Sequence, residues 1–212
     1  MYLPLTKKKQ KNKPVYLDEK KQATLFNAFQ YEIKDDTVPG VSLRDLAIVQ
    51  LILDTGIKVS ELVALDIDDL ILNKNSLYVT RNNRDQLLSY SSVTAQTLAE
   101  YLANREVMCH ADESQRALFL STTRGKHLAT EKDKDMRTDY DRLTVRSIQR
   151  IVKKYAIAAG LPDAEKVTPS SLRETYAIQM LGLSKDPALI KELLGQSDLT
   201  SAMEQLILSQ RS

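Results

Sequence analysis

Residues 168–177 read TPSSLRETYA, a helix start with one arginine set into it. Pro169 suits the first helical turn, and Thr168 is placed to cap its free N–H groups. Arg173 follows, between Leu172 and an apolar face made by Tyr176, Ala177 and Met180. A guanidinium is permanently charged and is rarely buried without a partner. Arg173 is therefore either a structural residue, on the surface or paired with Glu61 or Glu174, or a side chain aimed into a site that receives an anion. A second store of positive charge opens the chain: Lys7, Lys8, Lys9, Lys11 and Lys13 stand in residues 1–14 with no acidic residue among them. Such an arm suits the phosphates of a nucleic acid, and by composition alone it equally suits a solvated terminus. Metal chemistry finds no support. Two histidines, His110 and His127, and a single cysteine, Cys109, form no ligand cluster, so neither a metal nor a cofactor is expected. One cysteine allows no internal disulfide, which fits a reducing, cytoplasmic compartment.

These groups need a scaffold, and the chain has the means to build one. Its 212 residues are 42% apolar and 27% charged, the balance of a domain with a real core. The net charge of +2 is uneven: beyond the lysine arm stand 25 basic and 28 acidic residues. No apolar run approaches the roughly 18 residues of a membrane span, and no membrane partner is expected. The N-terminus lacks the order of a secretory signal.

The periodicities predict a mainly α chain with a small antiparallel β-sheet, an α+β domain. Residues 1–15 read as a basic arm or linker. Asp18 is placed to cap a helix over about 19–33, with Ala23, Leu25, Phe26 and Phe29 at helical spacing. SLRDLAIVQLILDTG reads as a buried helix capped by Ser42 and stopped by Gly56. KVSELVALDIDDL gives a short helix with Ser60 and Glu61 near its start. NSLYVTRNNRDQLLSYSS alternates around an Asn-Asn turn and reads as a β-hairpin. VTAQTLAEYLANREVM returns to helix, ALFLST is a short strand, and RGKHLATEKDKDMRTDYDRL a long polar loop. TVRSIQRIVKKYAIAAG is an amphipathic helix ending at Gly160. The helix of Arg173 comes next, then helices over DPALIKELLG and LTSAMEQLILSQ.

Three stretches, in this order and with the hairpin between the first two, resemble the motifs of the tyrosine recombinases, the phage-integrase family. DTGIKVSELVALDIDDL resembles the first, in which an apolar helix ends in Thr-Gly and an arginine precedes Ser-Glu-Leu. VTPSSLRETYA resembles the second, T-P-H-x-L-R-H-T-x-A. IKELLGQSDLTSAMEQL resembles the third, in which L-L-G-H-S precedes a nucleophilic tyrosine nine residues after the histidine. The resemblance spans about residues 15–206. It implies the tyrosine-recombinase, DNA breaking-rejoining catalytic-domain fold over residues 16–212, with the family's N-terminal core-binding domain absent. It also implies double-stranded DNA as partner. In that family two arginines hold the oxygens of the attacked phosphate, because a guanidinium fork fits them better than an ammonium does. A hairpin lysine and histidines assist, and tyrosine forms the covalent link to DNA.

Residue by residue, the resemblance makes Arg173 the second arginine, a phosphate clamp. Elsewhere the chain departs from the pattern. Lys58 stands for the first arginine, Ser170 and Gln196 for the two histidines, and Gln205 for the tyrosine. No tyrosine follows Tyr176. The hairpin turn, Arg81-Asn82-Asn83-Arg84, has arginines on both flanks and no clear match to the lysine. A glutamine amide cannot form the phosphotyrosyl intermediate. Three functions follow as expectations. The first is a DNA-binding protein of this lineage that does not cut, with Arg81, Arg84 and the arm lysines on phosphate. The second is an active recombinase with a non-standard or trans-supplied nucleophile. The third is a protein-interaction module whose last helix, with Leu199, Ala202, Met203, Leu206 and Ile207 on one stripe, docks on a second copy, unless that stripe packs on its own core.

Overall fold

Helix α2, Val41–Thr55, is apolar on nearly every side, and a helix of that kind is stable only at the centre of a fold. The structure is a computed structural model that describes residues 15–34, 40–81, 83–109, 115–121, 142–184, 186, 188 and 190. In it Ala47, Ile48, Val49, Leu51 and Ile52 are wholly buried. Around them pack α1 (Glu19–Lys34), α4 (Ser92–Cys109), α5 (Val145–Ala158) and α6 (Pro169–Ser184). A short helix, α3 (Val59–Ala64), follows α2 and leads into an antiparallel sheet of order β1-β2-β3: Leu70–Ile71, Ser76–Arg81 and Arg84–Ser89. The mainly α chain with one small antiparallel sheet is thus as the periodicities predict. The strand β1 is an addition, too short to leave an alternating pattern.

The helix ends largely follow the chemistry of their sequences. Asp18 Oδ1 accepts the Lys21 N–H at 2.9 Å and starts α1. Thr144 Oγ1 accepts from Ser147 N at 3.1 Å and starts α5, and Gly160 takes a positive φ just beyond its end. Thr168 Oγ1 accepts from Ser171 N at 3.3 Å, with Pro169 as the first residue of α6. Ser42 is different. It lies inside α2 and is buried, and the cap position belongs to Gly40, at φ 93°. The left-handed turn at Gly40 admits two more helical residues, Val41 and Ser42, than a serine cap at position 42 allows.

The predicted strand ALFLST is also corrected. Residues 117–120 make only isolated bridges, Asp66 with Ala117 and Leu120 with Arg142. The reason is competition for their carbonyls. Arg105 Nη2 donates to the Gln115 and Ala117 oxygens at 2.7 Å, Tyr101 Oη to that of Leu118 at 2.9 Å, and Arg44 Nη1 to that of Leu120 at 2.8 Å. A backbone satisfied by side chains needs no continuous partner strand. Most of the predicted polar loop and the two C-terminal helices lie outside the described residues.

The core closes where α1 meets α5. Phe29 and Tyr155 stack with centroids 3.6 Å apart, and the Tyr155 hydroxyl donates to Glu32 Oε2 at 2.8 Å. Phe29→Ala removes a fully buried ring from this contact. Its expected cost is about 3–5 kcal/mol, read as a lower urea midpoint at an unchanged m-value.

Candidate functional site

The site begins at the end of α2. Gly56, at φ 58°, turns the chain and returns its N–H to the Ile52 carbonyl at 2.9 Å. Its own carbonyl points away, at the negative end of the helix dipole, and accepts from Arg173 Nη1. Two residues later Lys58 opens α3. Glu61, one turn in, accepts the Lys58 backbone N–H on Oε2 at 2.9 Å, which fixes how α3 starts.

The hairpin supplies the second guanidinium. Side chains alternate along β2, so Leu77, Val79 and Arg81 share the inward face while Tyr78 and Thr80 face solvent. Asn83, at φ 59°, lies in the turn beyond the strand, and Arg81 pairs with Arg84. Arg81 consequently reaches α3. Its Nε and Nη2 donate to Glu61 Oε1 and Oε2 at 2.9 and 2.8 Å, a bidentate pair, and its Nη1 donates to Gln86 Oε1 at 2.8 Å. The Arg81 side chain is only 5% exposed. The Lys58 ammonium stands 3.8 Å from Glu61 Oε1, and the Lys58 side chain is 41% exposed.

Arg173 is 8% exposed, so it is no ordinary surface residue. Burial first, and then the charge of Arg81, pushes its guanidinium pKa down to about 10, with Glu61 opposing the shift. The Tyr176 phenol is pushed up by burial, while Arg81 and Arg173 pull it the other way. Among the described residues, Glu61 thus pairs with Arg81, stands near the Lys58 ammonium and acts on Arg173 through its field. Positive charge held out of water interacts more strongly with a nearby oxyanion than solvated charge does.

The structure therefore brings Lys58 and Arg81 to one carboxylate, and Arg173 into the field of Arg81 and Glu61. Ser170 lies on the first turn of α6 and is exposed, as is Arg84 at the hairpin end. Glu61, an expected alternative partner of Arg173, gives both its oxygens to Arg81 instead. Gln196, Gln205 and the arm lysines Lys7, Lys8, Lys9, Lys11 and Lys13 lie outside the described residues. The sequence reading missed the Arg81–Glu61 pair. The signal was available in the period-two alternation of Leu77, Val79 and Arg81. Among the described residues, no group of three or more His, Cys, Asp or Glu is placed to hold a metal. Nor is any helix of these residues long and apolar enough to cross a membrane.

This architecture is that of the tyrosine-recombinase catalytic domain. It matches the crystal structure of XerA recombinase with a TM-score of 0.64 at 24% identity, over 93% of this chain and 65% of that one. It also matches XerH site-specific recombinase bound to its difH substrate with a TM-score of 0.65 at 19% identity, over 87% of this chain and 48% of the other. The model of the phage integrase family fits residues 16–205, and the chain belongs to that family. Tyrosine recombinase XerC of Roseiflexus castenholzii is 33% identical over 162 residues, 75% of this chain and 46% of the relative. Tyrosine recombinase XerD of Lacticaseibacillus casei is 29% identical over 199 residues, 93% of this chain and 61% of the relative. The chain thus spans only 46% and 61% of the lengths of these two relatives.

The pair of Glu61 and Arg81 supports a direct test. Glu61→Ala removes the carboxylate from a guanidinium that is almost fully enclosed. The expected cost is about 3–5 kcal/mol of stability, measured by urea unfolding.

Proposed function

We propose that this chain is a DNA-binding member of the tyrosine-recombinase lineage that does not cleave DNA through the family's own nucleophile position. One observation carries the reading: two cations from separate parts of the chain, Lys58 and Arg81, flank Glu61, and the buried guanidinium of Arg173 on a third element lies in the field of Arg81 and Glu61. That arrangement suits the non-bridging oxygens of a backbone phosphate. Arg173 is the phosphate clamp. Arg84 and the lysines of the arm add further phosphate contacts, which set affinity and carry no sequence information. DNA recombination by the relatives, and XerH bound to its substrate, support DNA as the partner. Lys58, Ser170, Gln196 and Gln205 stand where the family pattern has arginine, two histidines and tyrosine, which supports binding without strand cleavage.

A gel-shift series on duplexes of unrelated sequence, across salt, tests the binding. The unsubstituted chain is expected to bind with strong salt dependence, and a chain that binds no duplex at low salt ends the DNA reading. Arg173→Ala, checked for folding by circular dichroism, is expected to weaken binding about tenfold on every duplex alike, since a phosphate clamp reads no bases.

Cleavage is tested separately, with a nicked duplex and a denaturing gel for a covalent protein–DNA adduct. No adduct is expected from the unsubstituted chain, nor from Gln205→Tyr alone. An attacking phenol needs its phosphate held and its charge compensated, and each missing donor costs about 10²–10³ in rate. An adduct from the unsubstituted chain refutes the non-cleaving reading.

A further inference from the structure

We propose that the open edge of β2 is a docking groove for a basic strand, and that its occupant is the lysine arm of this same chain, residues 7–13. The docking does not depend on whether the site around Arg173 receives DNA.

The edge is open because β1 is too short to cover it. β1 pairs only with Ser76 and Leu77, so β2 from Tyr78 onward has β3 on one side and, among the described residues, no strand on the other. The Tyr90 N–H donates to the Asn75 carbonyl at 2.8 Å, and that pair sets the phase of the ladder. Leu77, Val79 and Arg81 bond toward β3, while Thr80 turns its N–H and carbonyl the other way. Continued from the register of Leu70 with Leu77, the residue opposite Thr80 is Ile67. Ile67 lies instead in a one-turn 3-10 helix, Ile67–Asp69, and gives its N–H to the Arg116 carbonyl at 2.9 Å. Beside the bare edge lies a groove of about 410 Å³ whose lining includes Leu65, Asp69, Tyr78, Thr80 and Asp85. Asp69 accepts the Asp66 N–H and Asp85 the Thr80 hydroxyl, each at 2.8 Å, and neither carboxylate meets a cation among the described residues. Glu61, already paired with Arg81, adds to the negative lining.

An uncovered strand edge accepts a further strand, and the side chains beside it select which one. A second copy paired edge to edge would set these carboxylates against their own kind, which charge opposes. A basic strand suits them, and the chain carries one. KKKQKNK, residues 7–13, has no proline, so every N–H is kept for pairing. In an extended strand its Lys7, Lys9, Lys11 and Lys13 fall on one face. Residues 1–14 extended span about 46 Å. A domain of this length has a radius of gyration of about 17 Å, so the arm is long enough to reach the groove of its own molecule.

The test is amide hydrogen exchange followed by NMR on the full chain, without DNA. One variant combines Lys7→Gln, Lys8→Gln, Lys9→Gln, Lys11→Gln and Lys13→Gln, all outside the described contacts. The Thr80 N–H is expected to exchange about tenfold more slowly in the unsubstituted chain than in this variant. A second variant, Asp69→Asn with Asp85→Asn, keeps an acceptor oxygen at each position and removes both charges. It is expected to lose the same protection. Equal Thr80 exchange in the unsubstituted chain and the lysine variant overturns the proposal, whatever DNA binding shows. Protection that survives in the aspartate variant overturns the groove as the seat of the arm. Protection that rises with protein concentration places the arm of a second copy there and overturns docking within one molecule. Where the aspartate variant fails to fold, the lysine variant decides alone.

Discussion

The carboxylate of Glu61 is the hinge on which the arrangement of charges turns. It is one group with two oxygens, yet it receives the backbone of α3, the fork of Arg81 and the field of Lys58. Removing an ion pair from water costs more than the attraction returns unless the geometry is nearly ideal. Here two parallel bonds meet that requirement, and the hairpin is tied to α3 as a result. Without Glu61, the buried guanidinium of Arg81 would lose the carboxylate that grips it through two bonds.

A similar use of arginine recurs away from the site. Arg44 and Arg105 donate to carbonyl oxygens of irregular chain, Leu120 for the first and Gln115 and Ala117 for the second, and Arg142 donates to those of Val63 and Leu65 at the end of α3. Carbonyls outside regular structure must find donors when buried. A guanidinium with several N–H groups can serve two of them at once. Arg44 and Arg105 stand in for the strand pairing that residues 115–121 do not complete. Arg44 also needs its own counter-charge, and takes it from its neighbour Asp45 at 2.6 Å. Burial pushes the Asp45 carboxyl up, and Arg44 opposes the shift. The fold thus uses permanent cations both to hold loops and to line its site.

The elements that the sequence made legible were those with local causes. Apolar periodicity marked the described helices, the Asn-Asn turn marked the hairpin, and Thr168 with Pro169 marked the start of α6. Ser42 misled because its type suits a cap, while Gly40, able to turn left-handed, took the position two residues earlier. ALFLST misled because strand composition does not reveal which side chains will claim its carbonyls. At the site, the first motif located Lys58 and the second Arg173. The bond between Arg81 and Glu61 joins residues 20 apart. It depends on how the sheet lies against α3, a tertiary fact that no local pattern records. What alternation along β2 does disclose is that Arg81 faces inward with Leu77 and Val79.

The buried amide of Leu17 donates to Thr175 Oγ1 at 3.1 Å, two residues beyond Arg173 on α6, and the same hydroxyl donates to the Ser171 carbonyl at 2.9 Å. The segment entering the domain is therefore moored to the arginine-bearing helix before it reaches α1. Mechanically, a tug on the chain upstream of Leu17 is shared between α1, which also holds Leu17 through Gln22, and the helix that carries Arg173.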